Sequence, residues 1–162
     1  KDETGGTLFD KLAEAGAKLL VETLPHIFDG TAVYEKQPEE SPTPYAGMIT
    51  KQMGLINFGK SAEELERLVR GLNPWPSAFT FWNGKTLKVW ESFVVKSEEA
   101  GAEKSEPGTV VKTDKKGIYV ACGEDVLVLS QVQLEGKKRM DADAFLRGCH
   151  IETGSRFTDK KE

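Results

Sequence analysis

The sequence predicts a mainly β domain: a small antiparallel barrel preceded by a capped helix, with a further helix and an extended linker in front. Three observations predict it. Apolar runs of strand type flank Asn83-Gly84, a strong hairpin signal. A second pair of such runs flanks Asp114-Lys115-Lys116-Gly117. Between the linker and the first hairpin, Ser61-Ala62-Glu63-Glu64 forms a capping box ahead of an apolar stripe of helical period.

Taken in order, Thr7 is positioned to cap a helix beginning at Leu8. Leu8, Leu12, Ala15, Leu19 and Ile27, with Leu20 and Leu24 beside them, recur at roughly helical spacing. Pro25 should end or kink that helix. From Asp29 to Pro44 the chain is rich in Pro, Glu, Gln, Thr and Ser, which reads as an extended linker. The apolar stripe finds no partner in that linker. Residues 1–28 are therefore read as the end of a preceding domain, 29–44 as the linker and 45–148 as the domain proper. The opening Lys1, in place of Met, points the same way.

The second helix should run from the Ser61 box to about Leu72 and bury Leu65, Leu68, Val69 and Leu72. Glu63 with Arg67, and Glu66 with Arg70, stand four apart in the favourable order. Gly71 and Asn73-Pro74 stop it. Strands then follow at Phe79 to Trp82, Lys85 to Val95, Thr109 to Lys112, Ile118 to Cys122 and Val126 to Leu134. Residues 96–107 have almost no apolar side chain and read as a mobile surface loop. Five strands behind a helix suggest a barrel of the oligonucleotide-binding (OB) type. Asp141 is placed to cap a last short helix through Arg147, closed by Gly148. Residues 149–162 offer little to pack and read as a loose tail.

Composition bounds the function. The chain has 162 residues, 38% apolar and 30% charged, which suits a folded domain and excludes a collagen-like or low-complexity chain. No run of about 18 apolar residues occurs, so no membrane span is expected. The two cysteines and two histidines make a disulfide scaffold or a four-ligand zinc site improbable. With no leader signature, a reducing cytoplasm is the expected setting. The net charge of −4 hides an uneven distribution. Residues 1–45 carry −5 and residues 46–96 carry +3, so a polyanionic partner would dock on the middle of the chain.

Catalytic constellations are absent. The sequence holds no GxSxG, HExxH, Walker or GxGxxG motif. His26 and His150 have no carboxylate at useful spacing, and Cys122 reads as a small core side chain. Trp75 and Trp90 read as core residues in preference to base-stacking platforms.

Several segments resemble one family, the C-terminal portion of methionyl-tRNA formyltransferase. Ser61-Ala-Glu-Glu-Leu followed by Arg70-Gly-Leu-Asn-Pro-Trp-Pro76 is similar to that family's helix ending in Asn-Pro-Trp-Pro. Leu87-Lys88-Val89-Trp90, Pro107-Gly-Thr-Val110 and Gly136-Lys-Lys-Arg-Met140 resemble family segments in the same order. So do Gly5-Gly6-Thr7-Leu8 with Lys11-Leu12, and Tyr45 with Lys51. The resemblance implies an OB-like barrel that holds initiator methionyl-tRNA while a separate Rossmann-like domain transfers a formyl group from 10-formyltetrahydrofolate. That domain's catalytic asparagine, histidine and aspartate have no counterpart here, so no catalytic residue, no metal and no bound cofactor are expected in this chain. By the same resemblance residues 8–27 pack on the catalytic domain, the full-length protein is a monomer, and this chain alone is inactive.

The resemblance makes Lys51, Arg70, Lys88, Lys137, Lys138 and Arg139 the candidate tRNA contacts. Lys51 matches a family lysine close to the acceptor end, though it is equally read as a surface lysine. For Arg70 the ion pair with Glu66 is the simpler account. Lys137-Lys138-Arg139 is either a phosphate contact or a solvated charge run. Two other classes stay open: a related formyltransferase acting on a sugar nucleotide or on folate, and a free-standing nucleic-acid-binding module.

Overall fold

The computed structural model describes residues 2–160 and has four α-helices and six strands. The expectation drawn from Lys1, and the last two residues of the expected tail, lie outside that range. Helix α1 spans Gly5–Phe28, earlier at its start than the sequence suggests. Thr4, not Thr7, is the N-cap, and Thr7 is its reciprocal partner. The Thr7 N–H donates to Thr4 Oγ1 (3.2 Å) and the Thr4 N–H to Thr7 Oγ1 (2.9 Å). A box of this kind satisfies two orphan donors where a lone cap at Thr7 would satisfy one. Pro25 sits inside the last turn and forfeits one hydrogen bond without stopping the helix. The stop comes at Gly30 (φ +76°), where the N–H groups of Thr31 and Ala32 both donate to the His26 carbonyl.

Among the described residues, α1 is anchored to the domain at its first turn. The Gly6 N–H donates to the Asn73 carbonyl (2.9 Å), and Arg70 Nη1 donates to the Glu3 carbonyl (2.9 Å). A Cβ on Gly5 would overlap the Gly71 carbonyl, which is why the helix meets the chain at a Gly-Gly pair. Beyond that turn the stripe lies open, with Leu12, Leu19 and Leu20 all more than half exposed. Each such side chain forgoes about 1.5–3 kcal/mol of burial. Backbone amides along residues 12–24 should therefore exchange with solvent much faster than those of residues 126–134. Equal protection in a chain proven monomeric would overturn this.

Residues 29–44 contribute no helix or strand among the described residues. A short 3-10 turn at Lys51–Gly54 follows and is pinned to the sheet, since the Ile56 N–H donates to the Phe79 carbonyl (2.8 Å). Helix α2, Ala62–Gly71, has the expected box: Ser61 Oγ accepts from the Glu64 N–H (3.3 Å) and Glu64 Oε2 from the Ser61 N–H (3.4 Å). Ala62, Leu65 and Val69 face the core, and the helix lies across β2 and β5.

The strands are β1 (Ala78–Trp82), β2 (Lys85–Val95), β3 (Val110–Asp114), β4 (Gly117–Ala121), β5 (Val126–Leu134) and the short β6 (Met140–Asp141). All pairings are antiparallel, in the order β1-β2-β5-β4-β3, with β6 on the free half of β5. Asn83 (φ +47°) and Gly84 (φ +68°) form the expected two-residue turn. At the second hairpin, Asp114 Oδ1 accepts from the Lys116 N–H (2.8 Å). The mainly β, OB-like expectation holds, as an open sheet: β1 and β3 do not pair with each other.

Two segments expected to be loose are packed. In place of a mobile loop, residues 97–106 begin with a short helix, α3 (Ser97–Ala100), and bury Ala102 against Tyr119, Val126 and Val128. The reason lies in β5. Its first four residues, Val126-Leu127-Val128-Leu129, are buried on both faces, so the outward side needs a cover. Lys96 fastens that cover through an ion pair with Asp125 (2.7 Å). The tail is the second case. Ile151 and Phe157 are each 3% exposed, and residues 154–158 hydrogen-bond to both edges of the sheet. Helix α4, Ala142–Gly148, begins where expected, but the Asp141 side chain accepts from Gln131 Nε2 (3.1 Å) instead of capping it.

Candidate nucleic-acid interface

Two of the six candidate cations, Lys88 and Arg139, lie against the Trp90 ring, Lys137 and Lys138 sit on the turn that leads to Arg139, and β2 is irregular at Trp90. Register passes from Val89↔Val132 directly to Glu91↔Gln131, leaving Trp90 without a strand partner. A bulge of this kind re-aims a side chain. The Trp90 carbonyl is taken instead by Asn73 Nδ2 (3.0 Å). Its indole is half-buried between cations, with Lys88 Nζ 5.6 Å and Arg139 Cζ 4.8 Å from the ring centroid. Each cation–π contact of this exposure contributes about 0.5–1 kcal/mol.

Across the ladder, Lys88 stands opposite Gln133. Gln133 Oε1 accepts from Trp90 Nε1 (3.1 Å), and Gln133 Nε2 donates to the Lys137 carbonyl (2.9 Å). Arg139 donates to Glu91 Oε1 (3.1 Å) and, through Nε, to Gln131. The Lys137 and Lys138 side chains are exposed, and no ion pair among the described residues engages them. Beside this turn lies a shallow hollow of about 320 Å³ lined by Thr86, Lys88, Gln133 and Gly136.

Lys51 and Arg70 stand elsewhere. Lys51 is exposed on the 3-10 turn against β1, and among the described residues no hydrogen bond or ion pair joins it to the Trp90 group. Arg70 is committed: Nε and Nη2 donate to Glu66 (2.5 and 3.1 Å) while Nη1 holds the Glu3 carbonyl. Its hydrogen bonds to the Glu66 carboxylate also raise its pKa, keeping the group charged.

The tryptophans differ from the expectation. Trp75 is 58% exposed and Trp90 is half-buried, so neither is a core residue. Trp82 is the one that packs toward the core, edge-on to Phe145 at 6.2 Å. Period-2 alternation places Lys88 and Trp90 on the side opposite Leu87 and Val89, and that was the signal available in sequence. Gln131, Gln133 and Glu91 carried no sequence signal of their own. Cys122 is buried, and burial pushes its thiol up to about 12, which is a poor state for a nucleophile. Among the described residues no group of three or more His, Cys, Asp or Glu could hold a metal ion. No helix among them is long and apolar enough to cross a membrane.

A family profile described as "Formyl transferase, C-terminal domain" matches residues 48–150. The chain belongs to that family. Among curated proteins, it is 54% identical over 157 residues to a protein of Agathobacter rectalis named "Methionyl-tRNA formyltransferase", covering 97% of this chain and 49% of that one. A protein of the same name from Bacillus subtilis is 48% identical over 150 residues, covering 92% and 46%. The formyl transferase C-terminal chain thus spans about half the length of the curated relatives it matches. Among solved structures, HypX from Aquifex aeolicus superposes with a TM-score of 0.61 at 11% identity, over 90% of this chain and 26% of that one. A second HypX structure, in complex with tetrahydrofolic acid, gives 0.62 at 12% identity, over 90% and 25%. At that identity the likeness to HypX concerns the fold alone.

Proposed function

We propose that this chain is the tRNA-holding part of a methionyl-tRNA formyltransferase acting in translation initiation in the cytoplasm. The observation that carries the reading is the 54% identity, across nearly the whole chain, to a protein of that name. The Trp90 face supports it physically: Lys88, Lys137, Lys138 and Arg139 gather there within a protein of net charge −4. Phosphates of initiator methionyl-tRNA bind this face, and Lys51 lies toward the acceptor end. Arg70 serves as a strap for α1, through Glu3, and not as a phosphate contact.

In the reaction, the methionyl amine attacks the formyl carbon of 10-formyltetrahydrofolate. A C–N amide bond forms, the bond to the folate nitrogen breaks, and the amine proton passes to a general base. No residue of this chain is assigned to the donor site or to the base. Both belong to the half of the relatives that this chain does not span, and the open stripe of α1 (Leu8, Leu12, Leu19) packs on it.

Two measurements test the reading together. The 162-residue chain should bind tRNA in a salt-dependent manner. It should also transfer no formyl group to methionyl-tRNA when 10-formyltetrahydrofolate is supplied. Turnover above a protein-free control would overturn the division of labour, and salt-independent or absent binding would overturn the holding role.

A further inference from the structure

The turn between β5 and β6 carries Lys137, Lys138 and Arg139 in succession, with Lys88 across the ladder. Four neighbouring cations repel one another, so this turn tends to splay unless something holds it. Glu91 pairs with Arg139 (3.1 Å) and Glu135 opens the turn, but the hydrogen bonds that hold it at Lys137 come from neutral groups. Trp90 Nε1 donates to Gln133 Oε1 (3.1 Å), and Gln133 Nε2 donates on to the Lys137 carbonyl (2.9 Å). The Lys137 N–H closes the turn on the Leu134 carbonyl (2.9 Å), around Gly136 at φ +78°. The Thr86 and Glu135 backbone N–H groups fix its near end, the first donating to Glu135 Oε2 (3.0 Å) and the second to the Thr86 carbonyl (2.8 Å).

We propose that Trp90 and Gln133 are positioning residues: a neutral hydrogen-bond relay that pre-orders the cationic turn for tRNA without neutralising Lys137 or Lys138. The inference rests on the tRNA reading above and adds a device to it. Its signature separates it from a charge effect. Loss of the relay removes order but no charge, so affinity falls while the number of counterions released on binding stays the same.

The test compares Gln133→Met and Trp90→Phe with the unaltered chain, using tRNA at several salt concentrations. Trp90→Phe keeps an aromatic ring beneath Lys88 and Arg139 while losing the indole N–H and part of the ring area, and Gln133→Met, which leaves the indole in place, separates the hydrogen bond from the ring contact. Each variant should bind about three- to tenfold more weakly, the range expected for one hydrogen bond. The slope of log affinity against log salt should not change. The double variant should be no weaker than either single one, because the two residues act as one unit. Backbone amide exchange at residues 136–138 should quicken in all three. Unchanged affinity in both single variants, with the turn still ordered, overturns the relay and leaves the tRNA reading standing. A changed slope overturns it in favour of a charge effect. Absence of salt-dependent tRNA binding by the unaltered chain overturns both.

Discussion

Replacing Phe157 by alanine should destabilise the domain by about 3–5 kcal/mol, the cost of removing a well-packed buried aromatic ring. The ring is 3% exposed and stacks on Phe58, with centroids 6.2 Å apart and planes at 22°. Its backbone is as involved as its side chain. The Phe157 N–H donates to the Gly108 carbonyl (2.9 Å), next to β3, while Thr158 exchanges two hydrogen bonds of 3.1 Å with Phe81 in β1. Ser155 accepts from the Val110 N–H (2.8 Å), and Gly154 donates to the Val110 carbonyl (2.7 Å). Five residues of tail therefore occupy the gap between the two edge strands of the open sheet. Truncation after Ile151 would strip the β3 edge and the Phe81 end of β1 of partners and leave them available to other chains, so aggregation should accompany the loss of stability. Urea denaturation of Phe157→Ala measures the first effect, and light scattering of the truncated chain the second. A loss under about 1 kcal/mol, within the range of ordinary surface substitutions, would mean that the tail is an appendage after all.

Changing Lys137, Lys138 and Arg139 together to alanine should weaken initiator and elongator tRNA alike. It should also flatten the log-affinity against log-salt slope by roughly two to three units. The smaller figure is favoured because Arg139 is already paired with Glu91 at 3.1 Å, so it displaces fewer counterions from RNA. Lysines act as point charges, which position a phosphate backbone but do not read bases. Discrimination between the two tRNAs should therefore survive the triple change. Lys51→Ala should have the smaller effect, since the partner proposed for it, the acceptor end, would be positioned by the half of the relatives that this chain does not span. Fluorescence anisotropy across a salt series decides the matter. An unchanged slope would reduce these charges to a solvated turn.

Local chemistry was legible in the residues themselves. The Ser61–Glu64 box, the Asn83-Gly84 turn, the Glu66–Arg70 pair and the β5 run each depend on neighbours within a few positions, and each is found where the sequence places it. The open stripe of α1 was legible too, because an apolar face with nothing nearby to cover it declares itself by period alone. The family segments from Lys51 to Met140 fall within the formyl transferase C-terminal domain match, while those at Gly5 to Leu12 and at Tyr45 lie ahead of it.

Three features were decided only by the folded chain. The tail reads as loose because its two anchors, Ile151 and Phe157, are scattered among polar residues, and their partners lie some 40 to 100 positions away. The segment after β2 reads as mobile because its one buried residue, Ala102, is small, and the apolar face it covers belongs to strands not yet formed. The Trp90 cluster depends on the pairing of β2 with β5, which brings Gln133 and Arg139 to Lys88 and Trp90 and is a property of neither strand alone. By itself the sequence determined the α2 cap, the turns, the strand content, the family and the candidate cations. Which cations stand together, which one is tied up holding α1, and what covers the edges of the sheet were decided by tertiary structure. Register and long-range contact are set by the energy of the whole packed arrangement, and no local window contains it.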